Sequence, residues 1–189
     1  MTAEFRANAY AYALLSVTDL TTALDLWVGR FGMQIVARRQ GSDPAWAKRL
    51  GITTKLCAVY SRADAREESF AAMITQSAVV YVVGDSPIHL RSTLKDTVVF
   101  DALEAHPCVV AAAGSAAAMC DPMVDPRGGA FALGLGLVSG VAAVTESEKW
   151  PDERLQRTLS LANTSVAEIP TGAALIYLNG TWSTQGAVV

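Results

Sequence analysis

Apolar runs and amphipathic stretches take turns along the chain. Residues 10–17 form an apolar run that predicts a first strand. Asp19 then stands as an N-cap for a helix over 20–31: Leu20, Ala23, Leu24, Trp27 and Val28 share one face, and Gly32 stops it. A short strand over 33–37 and a brief helix, begun by Ser42 and Pro44 and ending near Gly51, come next. The pattern continues with a strand at 55–60, a helix at 65–75 and a continuous apolar strand at 78–83. The turn Gly84-Asp85-Ser86-Pro87 opens a helix over 87–94. Residues 98–105 read as helix and 108–113 as another apolar strand.

The strands are unbroken apolar runs rather than alternations, the mark of parallel strands covered on both faces. With the β-α-β-α rhythm, this predicts a three-layer α/β/α domain with a mainly parallel sheet. The later part differs. The glycine-rich stretch MVDPRGGAFALGLGL argues against a plain helix. Residues 141–144 read as a strand, and 151–161 as a helix with Pro151 in its first turn. Strands at 175–178 and 181–183, joined by Asn179-Gly180, make a hairpin. No repeat or low-complexity linker divides the 189 residues, so a single domain over 1–189 is expected.

Composition narrows the function. Half of the residues are hydrophobic and the net charge is −3, which excludes a disordered chain. No basic stripe points to nucleic acid, and no apolar run is long enough to span a bilayer. The first apolar run follows Glu4 and lacks a clean cleavage site, so it reads as a strand rather than a signal peptide. Cys57, Cys108 and Cys120 have no paired spacing, which suits a reduced, cytoplasmic protein.

One stretch carries chemistry. In AAAGSAAAMCDPM, Ser115 stands where an apolar strand turns into a helix among very small residues. A nucleophile elbow needs small neighbours, because backbone and adjacent strands come close there. The frame Ala113-Gly114-Ser115-Ala116-Ala117 has alanine where G-x-S-x-G has its outer glycines; close strand–helix packing explains the same residues. In a parallel sheet, Ser115 falls beyond the carboxyl end of its strand, where open α/β sheets bind ligands. Gly84 and Asp85 fall at the same edge and can offer N–H groups to an oxyanion, as can Ala116. Thr145, Glu146 and Ser147 follow the 141–144 strand there.

Several longer motifs support this placement. YVVGDSPIHLRSTLKDT, AGSAAAMCDPMVDPRGGAFALGLGLV, EKWPDERLQRTLSLA and IPTGAALI together resemble the peptidase E and cyanophycinase-like serine hydrolases, from about residue 59 to the C-terminus. The resemblance implies the class I glutamine amidotransferase-like fold and maps the family's GxSAGA serine onto Ser115. It also implies a histidine after the strand that follows GLGLV. That place holds Thr145-Glu146.

A serine hydroxyl is a poor nucleophile without a base. His106 precedes the strand leading to Ser115, about 20 Å away at about 3.3 Å per residue, at the opposite edge. His89, in the first turn after GDSP, is the histidine at the correct edge; a solvated helix residue explains it equally. Glu146 can serve as a base if burial raises its pKa. Asp125 and Arg127 can bind a charged substrate end or pair within their own loop. Cys120 reads as buried packing.

The segment AYALLSVTDLTTALDLWVGRFGMQIVARRQG resembles the opening of vicinal oxygen chelate proteins, which leaves a second division: a chelate-like segment over 1–50 joined to 51–189. That family's metal site needs histidine, and none precedes His89, so no metal or other cofactor is expected. The resulting expectation is a divergent peptidase E-like protein, acting on small acidic peptides or amides. The alternatives are an inactive relative that binds a small metabolite or a protein partner, and a repurposed enzyme of non-hydrolytic chemistry. The C-terminal hairpin has an edge that can pair across a two-fold axis into a homodimer.

Overall fold

The computed structural model describes residues 11–16, 55–84, 86–178 and 180–189. The elements expected at 20–31, 33–37 and 42–51, the chelate-like segment beyond residue 16, and Asp85 lie outside the described residues.

Among the described residues a five-stranded sheet forms the centre. Its strands are β1 (Ala11–Ser16), β2 (Val80–Val82), β3 (Cys108–Ala112), and, from the far end of the chain, β10 (Ala173–Leu178) and β11 (Thr181–Gln185). Their order is β11-β10-β1-β3-β2. β1, β3 and β2 run parallel, with Tyr12 opposite Val109 and Tyr81 opposite Val110. β10 pairs antiparallel with β1 and with β11. The hairpin closes with Leu178 opposite Thr181, and Gly180 takes φ 78° in the two-residue turn, a conformation glycine adopts without a Cβ clash. β3 buries Val109, Val110 and Ala111 in succession, so both faces are covered, as its unbroken apolar run predicts.

Helices cover the sheet. α1 (Glu68–Thr75) packs on α3 (Val98–Glu104), and α2 (Pro87–Leu94) on α4 (Gly114–Met119). Caps explain their limits. Ser86 Oγ accepts the His89 N–H at the start of α2, with Pro87 at the first helical position; Thr97 Oγ1 accepts the Phe100 N–H at the start of α3. At the other end of α2, the Arg62 guanidinium donates to the carbonyls of Ser92 (3.0 Å) and Lys95 (2.7 Å), which have no partner within the helix. Val80, Val99, Phe100, Leu103, Val109 and Met119 belong to the main core.

The glycine-rich stretch forms short strands, as its composition requires. β4 (Cys120–Asp121) pairs with β7 (Val138–Ser139), and β5 (Met123–Val124) with β6 (Phe131–Ala132). Gly134 is forced by crowding: a Cβ there would lie 1.7 Å from the Cys120 carbonyl oxygen. β8 (Val141–Thr145), buried throughout, pairs parallel with β9 (Ser165–Ile169) and packs on α4. α5 (Asp152–Leu161) lies between β8 and β9 in the chain. The fold is mixed α/β, with four parallel and three antiparallel ladders among the described residues. Among the described residues no helix is long and apolar enough to cross a membrane.

Two expectations change. Residues 55–60 are not a strand. The N–H groups of Tyr60 and Ser61 donate to the Asp64 carboxylate (3.0 and 2.8 Å), and Val59 N–H turns back to Cys57 O, so local acceptors replace a sheet ladder. The helix expected at 65–75 is interrupted: a 3-10 turn at Asp64–Arg66 ends at Glu67, whose ψ of 118° breaks the run before α1.

Candidate active site

The connection from β3 to α4 is a sharp elbow. Ala113 sits between the two elements with φ 51° and ψ −128°, a region that L-residues avoid and glycine tolerates. Its carbonyl accepts the N–H groups of Ala116 (3.0 Å) and Ala117 (3.3 Å) and so starts the helix. Ala113 is partly exposed, whereas Ser115, two residues on, is 0% exposed. The residue at the strained apex of the elbow is therefore Ala113. Ser115 lies inside the first turn of α4.

The Ser115 hydroxyl is enclosed by backbone. Two carbonyl oxygens lie within reach of its single proton, Ala112 O at 2.6 Å and Val82 O at 2.8 Å, and its oxygen accepts the Ala112 N–H at 3.2 Å. This geometry ties α4 to the end of β2, next to Gly84. Gly84 is partly exposed and leaves space for Leu90: a Cβ there would meet Leu90 Cδ1 at 2.8 Å. Ala116 is 0% exposed, and its N–H is committed to Ala113 O.

The candidate bases lie on other elements. His89 is exposed on α2, its backbone N–H held by Ser86 Oγ at 3.3 Å. Glu146 follows β8 with φ 52° and ψ 42°, and its carboxylate pairs with Lys149 at 2.6 Å. His106 is 2% exposed at the start of β3. Its Nδ1 accepts the Cys108 N–H, which leaves Nε2 to donate to Ser77 O at 3.1 Å. The Ser115 hydroxyl bonds with none of these three; its partners among the described residues are Val82 and Ala112.

Arg127 turns back on its own loop. It makes a two-pronged pair with Asp125, Nε to Oδ1 at 3.1 Å and Nη2 to Oδ2 at 2.9 Å, with Arg127 largely in solvent. Hydrogen bonding from Arg127 holds the Asp125 carboxyl below the usual aspartate range. The loop is pinned to α5 by Arg154, which donates to Pro126 O, and by Thr158, which donates to Gly129 O. Glu148, in the turn after β8, fixes the loop before β10 through both Oγ1 and N–H of Thr171. The buried thiol of Cys120 is pushed up to about 12 and the partly buried thiol of Cys108 to about 11, both chiefly by desolvation, so neither is a ready thiolate. Among the described residues no group of three or more His, Cys, Asp or Glu can hold a metal.

The residue whose place at the apex the sequence did not reveal is Ala113, read there as standing for an outer glycine. Its signal is positional: it follows directly on the last residue of β3, where an elbow has its apex. The serine two places on drew attention to a different frame of a run of near-identical small residues.

The chain resembles solved peptidase structures. A peptidase from an acI-B1 actinobacterium matches with a TM-score of 0.72 at 17% identity, over 94% of this chain and 88% of that one. A candidate peptidase E protein from Listeria monocytogenes EGD-e matches with a TM-score of 0.62 at 13% identity, over 95% and 99%. At these identities the likeness is one of fold. No known family model matches the chain, and no curated protein does either.

Proposed function

We propose that this chain is a non-hydrolytic member of the peptidase E-like fold, which works by binding a small ligand rather than by acyl transfer at the elbow. One observation carries the reading: the strained apex holds Ala113, which has no nucleophile, while the nearby Ser115 hydroxyl is buried and bonded to backbone. A serine attacks only when its oxygen reaches the substrate and a base takes its proton. Ser115 meets neither need. In this reading its hydroxyl is a structural pin, and Glu146, paired with Lys149, shapes the turn after β8.

A fluorophosphonate probe tests this. The intact mass of the treated protein is expected to show no adduct, and a screen of short acidic peptides and amides is expected to give equal background rates for the native chain and Ser115→Ala. An adduct on Ser115, with turnover lost in Ser115→Ala, would overturn the reading in favour of a serine hydrolase.

A further inference from the structure

A cleft of about 330 Å³ opens along β2, one strand over from the elbow. Its floor is apolar and well covered: Ile74 from α1, Val80 from β2, Leu94 from α2, and Val99 and Leu103 from α3, all at 5% exposure or less. The irregular segment 56–60 forms one wall. Gly84, Ser86 and His89 line it beyond the carboxyl end of β2, the edge where open α/β sheets bind ligands. The volume lies in the range of small-molecule sites, about 300–1,000 Å³.

Two features separate this cleft from ordinary surface. Large apolar side chains stay exposed around it: Leu56 at 42%, Val83 at 43% and Tyr60 at 61%. Exposed apolar groups gathered at a concavity mark a binding site more than scattered ones do. Its polar side chains are few. Tyr60, Ser86 and His89 each carry a donor and an acceptor, and no Asp, Glu, Lys or Arg is among the described lining residues. Ser86 Oγ already accepts the His89 backbone N–H, so its own proton remains to be given.

We infer that this cleft binds a small apolar molecule, aliphatic or aromatic, that ends in a carbonyl or carboxylate oxygen. The apolar body fills the floor between α1, α2 and α3. The oxygen end accepts hydrogen bonds from Ser86, His89 and Tyr60. This deepens the binding reading above. Because it concerns reversible binding, its failure is distinct from the appearance of covalent chemistry at the elbow.

The test uses the full chain and N-phenyl-1-naphthylamine, which fluoresces in apolar sites. Its signal is expected to rise on mixing, and octanoate and octanamide are expected to displace it. Octylammonium, with a donor-only head, is expected to compete at least about tenfold less well, the worth of one good hydrogen bond to the head. Cys57 also lines the cleft and is half-buried, so octanoate should slow its alkylation by iodoacetamide, read by peptide mass. Ala58→Trp, in the irregular wall, should abolish probe binding with the unfolding temperature kept. Absence of both probe binding and Cys57 protection would overturn the site. So would unchanged binding in folded Ala58→Trp. Equal competition by octylammonium would overturn the assignment of the oxygen-ended ligand.

Discussion

The Ser115 hydroxyl lies 2.8 Å from the carbonyl oxygen of Val82, joining the first turn of α4 to the last residue of β2. This bond makes the serine part of the frame between two neighbouring parallel strands. Ser115→Ala removes the donor for Val82 O and the acceptor for Ala112 N–H. It should lower the unfolding free energy by about 1–3 kcal/mol, measured by urea denaturation. Ligand binding at the β2 cleft should be unchanged once the protein is folded.

Ala113 holds an alanine in a backbone region that costs about 1–3 kcal/mol for a residue with a Cβ. Ala113→Gly relieves this and should raise stability by about 1 kcal/mol, since glycine's greater freedom in the unfolded chain takes back part of the gain. Ala113→Val, β-branched at the same dihedrals, should destabilise. A lower midpoint for Ala113→Gly would mean that the elbow is relaxed.

Alkaline conditions should weaken the fold through its buried thiols. Burial raises Cys120 to about 12 and Cys108 to about 11 in the folded chain. A raised folded value means that the folded state holds its proton while the unfolded chain releases it. The contribution is therefore full below the ordinary thiol value of about 8.5 and is lost as pH rises toward 11–12. Cys120→Ala should flatten this alkaline limb in a stability–pH profile and leave the profile below pH 8 parallel to that of the native chain.

Asp125 gives the opposite limb. Its carboxyl is held low by hydrogen bonding from Arg127. This stabilisation is present above the ordinary aspartate value of about 3.9 and disappears as pH falls through the lower folded value. Arg127 is mostly solvated, so Arg127→Ala should cost little stability near neutral pH and should remove that part of the acid dependence.

Much of this arrangement is legible in the sequence because local chemistry dictates it. Ser86-Pro87 announces the start of α2, and Asn179-Gly180 announces the hairpin. The apolar run into Ala112 marks a strand buried on both faces. What stays hidden depends on hydrogen-bond partners, near or far, that the apolar pattern does not announce. Tyr60 and Ser61 leave the extended pattern because Asp64 offers a carboxylate. Ser165–Ile169, with serine and glutamate among its five residues, becomes a strand only through pairing with β8 and with Val189, which exchanges backbone hydrogen bonds with Glu168. The elbow's frame was hidden for a different reason: Ala111, Ala112, Ala113, Ala116 and Ala117 are chemically alike, so only backbone dihedrals reveal which of them is the apex.

The frame of the elbow is tested most directly by cysteine accessibility. In folded Ala113→Cys, residue 113 should react with iodoacetamide at least about tenfold faster than residue 115 does in folded Ser115→Cys, each rate read by peptide mass, because exposure governs thiol reactivity. Equal rates, or faster reaction at residue 115, would place the reactive apex at the serine and contradict the account.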